Sequence, residues 1–202
     1  LPLTKETTGV AEPSARRYHK ENNNMSRIDI DSLLQAVSAE EPSGPDLEYD
    51  AAFLALEELA KGKEPRQIGD TVVEAEPPNW PQLLSQSQDL LGRSKDLRLA
   101  MHLVRAGLVT EGFPGFADGL GVIEGLLERF WESLHPKLDP DDGNDPTIRV
   151  NILSALCDSD TILRSLRESP LVSAKGLGQF SLRDYDIATG KSGASAEVNP
   201  VP

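Results

Sequence analysis

Apolar residues recur along most of this chain at the three-and-four spacing of a single helical face. Ile30, Leu33, Leu34 and Val37 form the first run, with Asp29 and Asp31 at the end of the predicted helix where partial positive charge collects. A Pro/Gly turn in EEPSGPDLEYD follows, and Asp50 is the expected cap of a second helix carrying Phe53, Leu54, Leu56 and Leu59, ended by Gly62. In NWPQLLSQSQDLLG, Asn79 precedes a third helix with Pro81 in its first turn, where a missing N–H is no loss. Ser94 is the expected cap of a fourth, KDLRLAMHLVRAGLVTEG, whose Leu97, Met101, Val104 and Leu108 follow one face. Leu99 and Leu103 widen that stripe, as in a helix packed between neighbours. Phe116, Leu120, Ile123, Leu127, Phe130, Trp131 and Leu134 outline a long fifth helix that stops at His135-Pro136. Two shorter helices are predicted at about 146–157 and 160–168.

Where the period fades, extended structure is expected. IGDTVVEAE reads as an irregular loop or a short extended segment, and QFSLRDYDIA as a short strand or arm. No fixed repeat of solenoid length is present. The predicted fold is therefore all-α, an irregular bundle of about seven helices, with a short extended or β segment near 69–76 and 178–188. Residues 1–24 have no hydrophobic period and end in three asparagines, so they are expected to be a non-native or flexible extension ahead of a start at Met25. Residues 25–188 form the expected helical domain. The small, polar stretch 189–202 reads as a linker or flexible tail.

Composition narrows the function. The 202 residues are 38% hydrophobic and 26% charged, which suits one globular domain with a core. No run approaches eighteen apolar residues, and no secretory signal pattern opens the chain, so direct membrane insertion is not expected. The single cysteine, Cys157, excludes an intramolecular disulfide and fits a reducing compartment. Net charge is −13, and residues 25–202 alone carry −14, which argues against a nucleic-acid partner because phosphate binding needs a basic face.

The stretch with most chemical promise is LDPDDGNDPTIRVN, 138–151. An EF-hand register with Gly143 at position six places Leu138, Pro140 and Arg149 where oxygen ligands are required, so it fails at three positions. The same residues fit a turn and a helix start, with Asp145 as the structural helix cap and Pro146 after it. Other motifs fail as well. TGKSG lacks the first glycine of a phosphate loop, since Tyr185 stands there. His19, His102 and His135 form no ligand pair, with His102 expected to be a satisfied helix residue. Cys157 has no activating histidine nearby and is expected to pack as a small hydrophobe. No catalytic, cofactor-binding or metal residue is therefore assigned, and no cofactor is expected. In the fifth helix, Gly115 and Gly119, then Gly121 and Gly125, stand four apart, which points to close approach of another backbone rather than a homodimer face.

Several segments in order, PSGPDLEYD (42–50), GDTVVEAEPPNW (69–80), SKDLRLAMHLVRAGLVTEGFPGFADGL (94–120), FWESLHPKLDPDDGNDPTIRVN (130–151) and GLGQFSLRDYDIA (176–188), resemble the ImpA-related N-terminal domain of TssA, a type VI secretion protein family. The resemblance spans about 40–188. It implies a non-enzymatic structural module, cytoplasmic, that helps assemble the secretion apparatus with baseplate, tube or sheath, and membrane-complex proteins. The family's ring-forming C-terminal region has no counterpart here, so a monomer or small oligomer is expected. A hydrolase whose carboxylates converge only after folding is the alternative. As a partner surface, the acidic turn offers Asp139, Asp141 and Asp142, with Arg149 near them in sequence.

Overall fold

Side-chain caps decide where most of the helices begin. A computed structural model describes residues 28–191 apart from 64, 69 and 70. Asp29 accepts the amide hydrogen of Ser32 to open α1 (Ile30–Leu33), and Asp50 that of Ala52 to open α2 (Ala51–Lys61). Asn79 accepts from Gln82 at the head of α3 (Trp80–Arg93). Asp96, rather than Ser94, caps α4 (Leu97–Glu111) by accepting from Arg98. Ser94 instead closes α3, its amide donating to the Leu90 carbonyl at 2.8 Å. Then come α5 (Phe113–Phe130), α6 (Thr147–Ser154) and α7 (Ile162–Glu168).

Among the described residues, strands are confined to two hairpins. β1 (Arg66–Ile68) pairs antiparallel with β2 (Thr71–Val73), within the interval where the helical period is lost. β3 (Pro170–Ala174) pairs antiparallel with β4 (Gly178–Ser181), with a register shift between Pro170 and Val172. The expected arm over 178–188 is only part extended. A capping box between Ser181 and Asp184 turns the chain into α8 (Leu182–Ala188).

Two other expectations change at helix ends. The first helix stops after Leu33 because the Val37 amide turns to the Pro42 carbonyl, which leaves the Val37 side chain exposed. The fifth ends at Phe130, and Leu134 reaches the core from the turn beyond it. Cys157 is exposed in a short 3₁₀ turn, not packed as a small hydrophobe. The expected extension 1–24 lies outside the described residues, as does the tail beyond Lys191.

The core is built around α4. Leu97, Leu99, Leu103, Val104 and Leu108 are all buried, as the widened stripe predicts, with α3 on one side and α5 on the other. Gly112, at φ +68°, ends α4 and begins α5, so the two helices fold back on each other across one residue. Their close approach rests on absent side chains. A Cβ on Gly107 would lie 2.9 Å from the Gly115 carbonyl oxygen, and one on Gly119 would lie 2.9 Å from the Val104 Cα. Gly125 leaves room for the Leu34 side chain in the same way. This packing offsets the cost of helix-interior glycine.

Two glycine substitutions separate packing from propensity. Gly115→Ala drives a methyl into the Gly107 backbone, which cannot rotate away, and is expected to destabilise by about 1–3 kcal/mol. Gly92→Ala, in α3 with open space around it, is expected to stabilise by about 0.4–1 kcal/mol. Chemical denaturation of both variants reads the opposite signs.

Candidate functional site

Segments distant in sequence meet through a buried polar junction at the ends of α1, α3 and α5 and the start of α4. Lys95, only 1% exposed, lies at its centre. Its Nζ donates to the carbonyls of Leu33 and Leu91, each at 2.8 Å, and so satisfies late carbonyls of α1 and α3. Its amide donates to the Ser43 carbonyl at 2.7 Å, and its own carbonyl accepts from the His135 amide at 2.9 Å. The Leu97 amide then donates to the His135 carbonyl at 3.0 Å. Burial pushes the Lys95 ammonium below the ordinary lysine value.

Further contacts bind the loop at 42–46 to this centre. The Ser43 and Ser133 hydroxyls are 2.7 Å apart, and His135 Nε2 is 2.9 Å from the Gly44 carbonyl oxygen. Gly44 sits at φ +69°, with the Arg93 carbonyl where a Cβ would be, so both conformation and space demand glycine. Asp96 is fully buried, and its two oxygens accept from the Arg98 guanidinium, the shortest contact being 2.7 Å. Asp46 at 3.5 Å and Glu48 at 3.6 Å approach the same group, which lies over the Phe53 ring. Burial works against the Arg98 charge, but Asp96, with Asp46 and Glu48, holds it above the ordinary value. Carboxylates thus do converge on folding, but around an arginine.

Arg149 closes the junction from α6. Although it stands near the acidic turn in sequence, it is 1% exposed and points inward. Nε donates to the Pro136 carbonyl at 3.0 Å, and the two terminal nitrogens to Trp131 at 2.7 Å and Leu134 at 2.6 Å. The guanidinium also stacks 4.6 Å from the Trp131 ring centroid. Burial lowers its pKa, against the opposing charge of Glu132. Asp139, Asp141 and Asp142 remain exposed, so the structure does not join them and Arg149 into one surface. Asp139 accepts the Asp141 amide and Asp142 the Asp145 amide, while Gly143 and Asn144 take positive φ. Pro146, not Asp145, occupies the N-cap position of α6, and Asp145, one residue earlier, accepts both the amide and the hydroxyl hydrogen of Thr147, the first residue of the helix. The Thr147 hydroxyl, then its amide, hold the Asp145 carboxyl below the ordinary value.

Elsewhere, His102 on α4 lies 2.9 Å from Glu57 on α2, and that hydrogen bond lowers the Glu57 pKa. Among the described residues, no group of three or more His, Cys, Asp or Glu side chains is arranged to hold a metal ion, and no helix is long and apolar enough to cross a membrane. Sequence reasoning missed Lys95, Asp96, His135 and Ser43 as a unit. The available signal was a Lys-Asp pair set against a strongly apolar helix start, but charges there are as common on solvated faces.

Fold and junction together define a small helical module whose buried charged groups are committed to its own architecture. The chain belongs to the ImpA N-terminal family of the type VI secretion system: the family model described as "ImpA, N-terminal, type VI secretion system" matches residues 34–158, a range that holds every junction side chain from Ser43 to Arg149. It is similar to the type VI secretion system component TssA1 of Pseudomonas aeruginosa, 46% identical over 171 residues that cover 85% of this chain and 49% of the relative. The chain therefore spans about half the length of that curated relative. It is also similar to a solved N-terminal domain, including the conserved ImpA_N region, of the type VI secretion component TssA from Burkholderia cenocepacia. The TM-score is 0.64 and the identity 27%, over 90% of this chain and 63% of that one.

Arg149→Met tests the junction directly. It leaves three backbone carbonyls without their donor and is expected to destabilise by about 2–4 kcal/mol. Arg149→Lys, which keeps the charge but not the planar fork, is expected to recover only a minor part in urea unfolding.

Proposed function

We infer that this domain is a non-enzymatic assembly module of the bacterial type VI secretion apparatus, working in the cytoplasm. Its partners on this reading are proteins of the baseplate, of the tail tube or sheath, and of the membrane complex. The observation that carries the reading is membership of the ImpA N-terminal family. The relatives described as type VI secretion components support it. So does the engagement of Lys95, Asp96, Arg98 and Arg149 in internal hydrogen bonds, which leaves recognition to the surface. The net charge of −13 favours a basic partner surface and an association rate that falls with salt. Asp139, Asp141 and Asp142 are the partner-contacting residues proposed, because their turn holds three exposed carboxylates together.

Surface-immobilised baseplate, tube, sheath and membrane-complex subunits of the same secretion system, each probed with this chain across a salt series, test the proposal. Binding to at least one of them is expected, with Asp141→Asn/Asp142→Asn folding normally yet associating more slowly at low salt. Absence of binding to all of them refutes the assembly role. Unchanged kinetics for the double variant remove the acidic turn from the contact.

A further inference from the structure

The long helix α5 has two faces of different character. Gly115, Gly119, Val122 and Leu126 are buried on the side that packs against α4 and α1. Along the opposite side, Phe113, Ala117, Leu120, Glu124, Leu127 and Trp131 stand alternately four and three residues apart. That is the heptad spacing by which one helix offers a seam to another, and every position but Glu124 is apolar. Trp131 keeps helical backbone angles, so the seam runs one residue past Phe130. Phe113 and Trp131 are 36% and 37% exposed, Ala117 is exposed, and Leu120 and Leu127 are half-buried. Among the described residues, the shallow groove between them is lined by α5 alone, from Ala117 to Glu128.

Charge on this face is unbalanced. Glu124 and Glu128 line the groove four residues apart, are exposed, and form no ion pair among the described residues. Like charges at that spacing repel along a helix. Glu128 also stands in the last turn of α5, where the helix dipole disfavours a carboxylate. Two separate effects thus raise the energy of these glutamates in the free domain. A cation lying beside the groove relieves both.

We propose that this seam receives an amphipathic helix of a partner protein, apolar along its contact stripe and bearing Lys or Arg beside it. Leu120 and Leu127 meet the apolar stripe, the small residues Ala117 and Gly121 admit the partner's backbone, and Glu124 and Glu128 pair with its cations. The heptad spacing selects a helix over an extended segment, and the unpaired carboxylates select a basic one. A second copy of this chain fits poorly: it carries the same net charge of −13, and seam against seam sets glutamate against glutamate. The seam lies on a different element from the acidic turn, so it adds a contact to the assembly role. Its chemistry is testable without any secretion protein, and its failure leaves that role standing.

The probe is a synthetic peptide of about three heptads, with Leu along one helical stripe and Lys beside it, titrated into the isotope-labelled chain and followed by amide chemical shifts. A scrambled peptide of the same composition lacks the stripe. Saturable shifts centred on 113–131 are expected, with the scrambled peptide about tenfold weaker or worse. Glu124→Lys/Glu128→Lys is expected to weaken the helical peptide by about tenfold, whereas Glu40→Lys/Asp89→Lys, an equal charge change at exposed positions elsewhere, weakens it far less. Ala117→Gln, which adds bulk to the seam without charge, is expected to weaken it severalfold. Matching circular dichroism melts establish that the variants fold. Equal binding of the scrambled peptide, shifts centred off α5, or affinity that survives both seam variants overturns the proposal. So does self-association in sedimentation velocity that the peptide displaces, which assigns the seam to a second copy. A shift of the α5 amides when residues 1–24 are deleted, with no peptide present, assigns it to the chain's own leading segment and overturns it too.

Discussion

An ammonium removed from water must be met by counter-charge or by oriented dipoles, and Lys95 is met by carbonyls alone. Those carbonyls belong to the last turns of two different helices, so satisfying one nitrogen fixes the ends of α1 and α3 relative to each other. Because the Lys95 backbone also pairs with Ser43 and His135, the same residue sets the loop at 42–46 and the chain after α5. Asp96, next in sequence, starts α4 and locks Arg98 over Phe53 of α2. Arg149 repeats the device at the end of α5, where one guanidinium serves three carbonyls. The bundle is thus closed at one end by cations that act as caps for several chain segments together.

Such a junction explains why an irregular bundle has a defined geometry. The apolar faces of α3, α4 and α5 tolerate many packings of similar burial, whereas a buried cation tolerates only those that present carbonyls to it. The glycines of the α4–α5 crossing supply the second constraint, because backbone contact at Gly107 and Gly115 admits one separation of the axes. Family membership is consistent with this division. The matched range, 34–158, takes in every junction side chain and the glycine crossing, while α7, the β3–β4 hairpin and α8 lie beyond it.

Much of the fold was legible because its signals are local. Asp50, Asn79 and Gly62 mark helix ends by chemistry that needs no tertiary partner, and the glycines in α5 announced a close approach through their cost. Ser94 and Asp96 both have capping side chains, and only the pairing of Asp96 with Arg98 decides between them. Val37 kept the helical spacing but lost the helix, because its amide donates to the Pro42 carbonyl across a turn. At the site, the same limit is sharper. Arg149 is adjacent to the acidic turn in sequence, yet the α6 helix rotates it inward, and no local pattern distinguishes a buried arginine from a solvated one. The PSG, SKD and LHP segments were visible as parts of a family resemblance before any contact between them was.

Native-state hydrogen exchange at the amides of Lys95, Leu97 and His135 tests most directly whether the junction holds the bundle together. These amides donate to Ser43, His135 and Lys95 and so report on three sequence-distant segments at once. The account predicts that all three exchange only through global unfolding, with a common opening free energy equal to that of the whole domain. Exchange of these three through a local opening, while amides in the middle of α4 stay protected, would contradict it.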